Sequence, residues 1–153
     1  RNNYAAMLFS QERYRESYEQ LERVAGDTSY EGRALAFEGL GRSALRMDQV
    51  DDARIAFQRA LQLDGNLFIA ALELSLLEFG QKDYFSARRH YQSYLTIIEF
   101  LQLPHTPRAL LAGIQIEGYF ENEELVENFT LVLSTLYPSS PEYQQLQRLS
   151  DAN

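Results

Sequence analysis

The sequence contains no cysteine and no tryptophan, and Lys82 is its single lysine. Without cysteine there is no disulfide framework and no thiolate metal site, and the compartment stays open. No apolar run approaches the roughly 18 residues that a membrane-spanning helix needs. The most apolar stretch, residues 67–77, is broken by Glu73. Positive charge is scarce: 14 basic residues against 22 acidic ones leave a net charge of −8. A nucleic-acid partner requires a basic face, so none is expected, and an anionic membrane surface is disfavoured on the same ground. The acidity reads as a solubility feature. No leader segment is visible, and the chain opens on Arg1 rather than on methionine. The expectation is a piece of a longer protein.

What the sequence does have is a repeat. The string Phe37-x2-Leu40-Gly41-x2-Ala44 is followed by Ala53, Phe57, Ala60 and Gly65. This spacing follows the tetratricopeptide (TPR) pattern, whose period is about 34 residues. One period on, Ala87 stands for Ala53, Tyr91 for Phe57, and Leu74-Ser75 for Leu40-Gly41. One period back, with two extra residues in the 27–32 loop, Ser17, Leu21 and Tyr4-Ala5 fill the same places. A weaker fourth copy opens at Leu111-Ala112-Gly113 and closes at Tyr137-Pro138. Small residues (Ala5, Gly41, Ser75, Gly113) mark where paired helices cross. Large ones (Leu21, Phe57, Tyr91, Phe129) fill the groove to the next pair, because one pair cannot bury its apolar face alone.

The predicted fold is all-α: a right-handed TPR superhelix of about four helix pairs with a closing helix. The chain reads as a single solenoid domain, 1–153, with repeats near 1–31, 32–67, 68–103 and 106–138. Helices are expected near 2–10, 14–25, 33–46, 50–63, 66–80, 84–102, 107–120, 123–136 and 141–149. Asn66 is a candidate cap for the fifth helix, and Thr106-Pro107 and Ser140-Pro141 are cap-plus-proline starts. The helix over 84–102 is longer than its equivalents.

No catalytic constellation emerges. His90 reads as an outer-face residue and His105 as a loop residue, neither with a carboxylate partner in the sequence. Asp48, Asp51 and Asp52 lack the glycine and closing glutamate of a calcium loop and fit a helix start. Glu121, Glu123, Glu124 and Glu127 form a second acidic run at a turn, read as solvated. No GxGxxG, P-loop or HExxH is present. The chain therefore reads as non-catalytic, with no cofactor and no metal, and its function as binding another protein or peptide. In a TPR stack the first helices of successive pairs line the binding groove. The register places Asn3, Phe9, Glu38, Arg42, Arg46, Ile69, Leu72, Leu76, Phe79 and Ile114 there. Leu72, Leu76 and Phe79 form either an apolar shelf for a partner or packing against the neighbouring helix. Arg42 and Arg46, one turn apart, either hold a partner carboxylate or pair with Glu38. A general scaffold or co-chaperone clamp for acidic C-terminal peptides is the alternative, although such a clamp asks for several lysines.

Further residues are more particular. The opening Asn2-Asn3-Tyr4, the Arg13-Tyr14-x-Glu16-Ser17 turn and Asp27-x2-Tyr30-x2-Arg33 stand in order. They lead to Gly39-Leu40-Gly41, Phe57-x-Arg59-Ala60-Leu61-x-Leu63-Asp64-x-Asn66, Asp83-Tyr84-x2-Ala87-Arg88 and the closing Tyr137-Pro138-x-Ser140-x-Glu142-Tyr143. In this the chain resembles the C-terminal portion of the PilF/PilW family of type IV pilus biogenesis TPR lipoproteins, called pilotins. The resemblance implies a periplasmic position on the outer membrane of a Gram-negative bacterium. Membrane attachment would come only through an N-terminal lipid anchor that lies outside this chain. It also implies a partner, the secretin subunit of the pilus channel, whose localisation and multimerisation such proteins assist.

Overall fold

The structure, a computed structural model, describes residues 2–28 and 31–152; Arg1, Ser29, Tyr30 and Asn153 lie outside the described residues. Tyr30 of the motif above and part of the 27–32 loop, where the two extra residues are expected, therefore fall outside them. Among the described residues there are nine helices and no strand. They are α1 (Asn2–Ser10), α2 (Tyr14–Gly26), α3 (Arg33–Arg46), α4 (Val50–Leu63), α5 (Phe68–Gly80), α6 (Tyr84–Leu101), α7 (Pro107–Tyr119), α8 (Glu123–Leu136) and α9 (Pro141–Asp151). The fold is all-α, as the repeat predicts.

Local chemistry sets the boundaries. The Thr106 and Ser140 hydroxyls accept the amides of Ala109 (3.2 Å) and Tyr143 (3.1 Å), and each is followed by proline in the first turn. Asn122 caps α8 through the Leu125 amide at 3.4 Å. Asn66 does not cap α5. Its amide donates to the Asp64 carboxylate at 3.0 Å in a local turn, so the helix begins at Phe68 instead.

The four turns within pairs share one backbone geometry. Glu12, Asp48, Lys82 and Glu121 all adopt left-handed φ, between 57° and 63°. Around Lys82, its own amide donates to Phe79 O (3.0 Å) and the next amide, of Asp83, donates to Glu78 O (2.9 Å). The same two bonds recur around Glu12, Asp48 and Glu121. This is the Schellman closure of a helix C-terminus, which satisfies carbonyls that would otherwise lack donors. The end of α6 repeats it at Gln102, whose φ is 55°.

Packing divides the chain into two compact units, residues 1–77 and 78–153; the division falls inside α5. In the first unit one cluster joins Ala5, Leu21, Val24, Ala36 and Leu40, and a second joins Ala44, Ala53, Phe57, Ala60, Ala70 and Leu74. Gly41 lies beneath the Phe57 ring, where a Cβ would come within 2.6–2.7 Å of three ring carbons. At the α1–α2 crossing, buried Ser17 donates its hydroxyl to Ala5 O at 2.8 Å. In the second unit Leu110, Ile114 and Leu133 form the centre, with Val126, Phe129, Tyr143 and Leu146 packed on it. A Cβ on Gly113 would overlap the Tyr91 hydroxyl and come within 2.8 Å of the Phe129 ring.

Candidate functional site

Three helices of the first unit enclose a pocket of about 360 Å³, lined by Ala5, Ala6, Phe9, Ser17, Leu21, Leu35, Glu38, Gly39 and Arg42. Its walls are mostly apolar because α1 and α3 turn small residues toward α2: a Cβ on Gly39 would come within 2.8 Å of a Leu21 methyl. Leu35 remains 55% exposed at its edge, more than a packing residue needs.

One rim is aromatic and cationic. Phe9 and Tyr14 meet edge to face with centroids 5.1 Å apart. The Arg42 guanidinium lies 4.9 Å from the Phe9 centroid, and that of Arg46 lies 5.5 Å from Phe9 and 5.6 Å from Tyr14. Arg46 also donates to the Tyr14 hydroxyl at 3.3 Å. Both arginines are exposed, and the ion pairs found among the described residues include neither. Contact with a ring occupies the face of a guanidinium, so its N–H edge remains able to engage an acceptor.

The Glu38 carboxylate has a different task from the partner contact predicted for it. It is 8% exposed and accepts the Ala70 amide at 3.1 Å, in the first turn of α5. It therefore caps, from α3, a helix whose own preceding residues supply no side-chain cap. Burial raises its pKa above the ordinary 4.5, while the Ala70 amide and then Arg42 pull the other way. Arg42 thus acts on Glu38 through its field without forming an ion pair with it.

The remaining residues of the predicted face separate. Asn3 is exposed on α1 and Ile69 and Leu76 are half-buried on α5. Leu72 and Ile114 are only 8% and 7% exposed, so they serve the core and present almost nothing to a partner. Ile114 sits inside the second unit's central cluster. Phe79 packs edge to face on Tyr84, with centroids 5.5 Å apart. The structure thus gathers Phe9, Glu38 and Arg42 in one pocket with Arg46 beside it. Tyr14, which the register did not single out, completes the rim.

The second unit corrects the reading of His90. Its Nδ1 lies 2.6 Å from Oε1 of Glu78, and Glu78 is buried, so the histidine has the carboxylate partner that the sequence did not suggest. Glu117, also buried, is held by Arg88 through Nε (3.1 Å) and Nη2 (3.0 Å) and by Asn122 Nδ2 (3.0 Å). His105 lies in the loop before α7, its ring 5.2 Å from that of Phe129, with Nδ1 buried and without a hydrogen-bond partner. Burial lowers its pKa. Tyr91, buried, donates to Ala109 O at 2.7 Å, and burial pushes the pKa of neighbouring Tyr94 up to about 12. These groups are engaged in packing, and no cluster suited to a metal ion occurs among the described residues.

The helix pairs, their repeated turn and this pocket can be compared with known proteins. The chain is 34% identical to the type IV pilus assembly protein PilF of Pseudomonas aeruginosa over 146 residues, which is 95% of this chain. A solved structure of Pseudomonas aeruginosa PilF superposes with a TM-score of 0.89 at 34% identity, over 96% of this chain. The chain is similar to the type IV pilus biogenesis TPR proteins PilF, in sequence and in fold, and PilW, in fold. It spans 56% of the curated PilF relative and 64% of the solved PilF chain. A solved structure of PilW, described as a widely conserved type IV pilus biogenesis factor, superposes with a TM-score of 0.73 over 95% of this chain. At 21% identity that likeness to PilW is one of fold. No family model matches the chain.

Proposed function

We propose that this chain is part of a pilotin: a non-catalytic factor of type IV pilus biogenesis that binds the secretin subunit and assists its localisation and multimerisation at the outer membrane. The observation that carries this reading is the likeness to PilF over nearly the whole chain, in sequence and in fold together. The pocket on α1–α3 supports it, since an apolar depression rimmed by aromatic rings and arginines suits a protein segment. Aromatic residues and arginine dominate the energetics of such contacts. The position is the periplasmic face of the outer membrane, held by a lipid anchor on the longer protein.

The test is genetic. Deleting the gene in the source organism should remove detergent-resistant secretin multimers from isolated outer membranes, and the full-length gene should restore them. Normal multimers in the deletion strain would overturn the secretin assignment.

A further inference from the structure

We propose that the pocket on α1–α3 takes an acidic-apolar peptide segment of a partner protein, in which an aliphatic or aromatic side chain has a carboxylate beside it. This rests on reading the chain as a protein-binding module and names the chemistry of what that site accepts.

The size argues first. About 360 Å³ lies near the lower end of the roughly 300–1,000 Å³ typical of small-molecule sites. It has room for one or two side chains against buried apolar walls that include Ala5 and Leu21. Charge argues second. In a chain of net charge −8, two exposed guanidiniums one turn apart flank this pocket. Phe9 lies under both, and the ion pairs found among the described residues use neither. A carboxylate is the acceptor that a guanidinium fork matches in geometry. Two cations in so acidic a chain cannot hold a nucleic-acid backbone, whose affinity grows with each phosphate neutralised.

The orientation follows from Glu38. Its carboxylate also lines the pocket and is engaged with the Ala70 amide. A ligand carboxylate placed deep in the pocket would meet that charge. It is therefore directed outward, toward Arg46 and Tyr14, while the apolar side chain enters between Ala6 and Leu35.

The experiment uses short fluorescein-labelled peptides in which Leu or Phe is flanked by Glu, read by fluorescence polarisation at low and high salt. Controls carry Gln for Glu, or Ala for the apolar residue. The expected result is saturable binding of the acidic peptides that weakens with salt and falls at least about tenfold with either control, the scale of a lost anchor. Arg42→Glu/Arg46→Glu should abolish it, and both sites are exposed, so helicity should persist. Ala6→Phe, which fills the pocket and leaves the charges in place, should weaken binding as much as removing the apolar side chain does. Three outcomes would overturn the proposal: no binding, equal binding of the Gln peptides, or binding that survives the charge reversal. Capture of anionic vesicles in place of peptides by the same arginines would overturn it too. The secretin-multimer test can fail while these peptides bind, and can succeed while they do not, so the two ideas fall separately.

Discussion

The two units share one helix–turn–helix frame, yet they fill one position of it with opposite chemistry. Four residues before each left-handed turn residue stands the one whose carbonyl accepts the closing amide: Leu8 and Ala44 in the first unit, Glu78 and Glu117 in the second. All four are buried. An apolar side chain there needs only packing. A carboxylate there must be paired, because stripping water from a charge costs several kcal/mol unless a partner and hydrogen bonds replace it. The second unit supplies both partners from α6. His90 meets Glu78 at the end of α5, and Arg88 meets Glu117 at the end of α7. One helix is thus fastened by directional bonds to the ends of two others, where the first unit relies on the non-directional contacts of Leu8 and Ala44. The same backbone solution does not dictate the same core.

The sharpest way to break this comparison is to remove one partner. Arg88→Met leaves Glu117 buried with Asn122 alone and should destabilise by about 3 kcal/mol, somewhat less than for a fully buried pair because Arg88 is 34% exposed. Chemical denaturation measures it. Arg88→Met/Glu117→Leu should recover most of the loss, since an apolar pair of similar volume avoids the desolvation cost. A loss below about 0.5 kcal/mol for the single change, the level of an ordinary surface substitution, would mean the carboxylate is not held as argued.

The helix crossings should behave alike in both units, which tests whether the frame is shared. Gly41→Leu and Gly113→Leu each force a side chain into an aromatic ring and should cost about 1–3 kcal/mol, seen as lowered Tm. In the fourth pair this crossing is displaced: Gly113 stands one residue further from its turn than Gly41 does, and Phe129 one residue nearer than Phe57. If Gly113→Leu alone were tolerated, the displaced crossing would be looser than the other, and the frames would differ after all.

A smaller effect separates the units by pH. Glu38 has its folded pKa raised above 4.5, so its contribution is fully present below 4.5 and is lost as pH rises through the folded value. His105 has its folded pKa lowered below 6.5, so its contribution is present above 6.5 and is lost as pH falls through the folded value. Acidification from pH 7 to pH 5 should therefore raise the stability of the wild type relative to Glu38→Gln. Over the same range it should lower the wild type relative to His105→Leu. Thermal melts of the three proteins at both values read the two signs directly, and identical pH profiles would refute both assignments.

The element order was legible because it is written in local pattern: the small and large residues at the crossings recur in register, and Thr106-Pro107 and Ser140-Pro141 announce helix starts by themselves. The cap on α5 was not, because the group that supplies it, Glu38, is 32 residues from the amide it accepts. Periodicity gave Glu38 and Arg42 the same face, and only packing shows that one is engaged within the fold and the other exposed. The sequence leaves Leu72 open between a partner shelf and packing, and places Ile114 on the binding face, for a related reason. Helical spacing says which residues share a face, and burial depends on what packs against that face. The Glu78–His90 pair did leave a trace in the sequence: a carboxylate at the place where the earlier repeats carry leucine and alanine. A charge in a position that the frame keeps buried implies a partner, which for Glu78 lies on the returning helix α6 and for Glu117 on the helix before it.

The smallest effect probes what the units have in common. Glu12, Asp48, Lys82 and Glu121 occupy left-handed backbone at the helix C-terminus, where glycine is the usual choice because a Cβ there crowds the following carbonyl. Replacing each by glycine should remove that cost, against which glycine's greater freedom in the unfolded chain partly offsets the gain. The net expectation is stabilisation by about 0.5 kcal/mol per site, least at Asp48, since aspartate tolerates this conformation better than glutamate or lysine. Denaturation midpoints of the four variants should therefore rise together, Lys82→Gly and Glu121→Gly no more than Glu12→Gly. Equal gains would locate the difference between the units in the buried carboxylates and not in the turns that present them. A gain confined to the first unit would mean that Glu78 and Glu117 already constrain their turns through α6, so that the buried pairs set backbone geometry as well as packing.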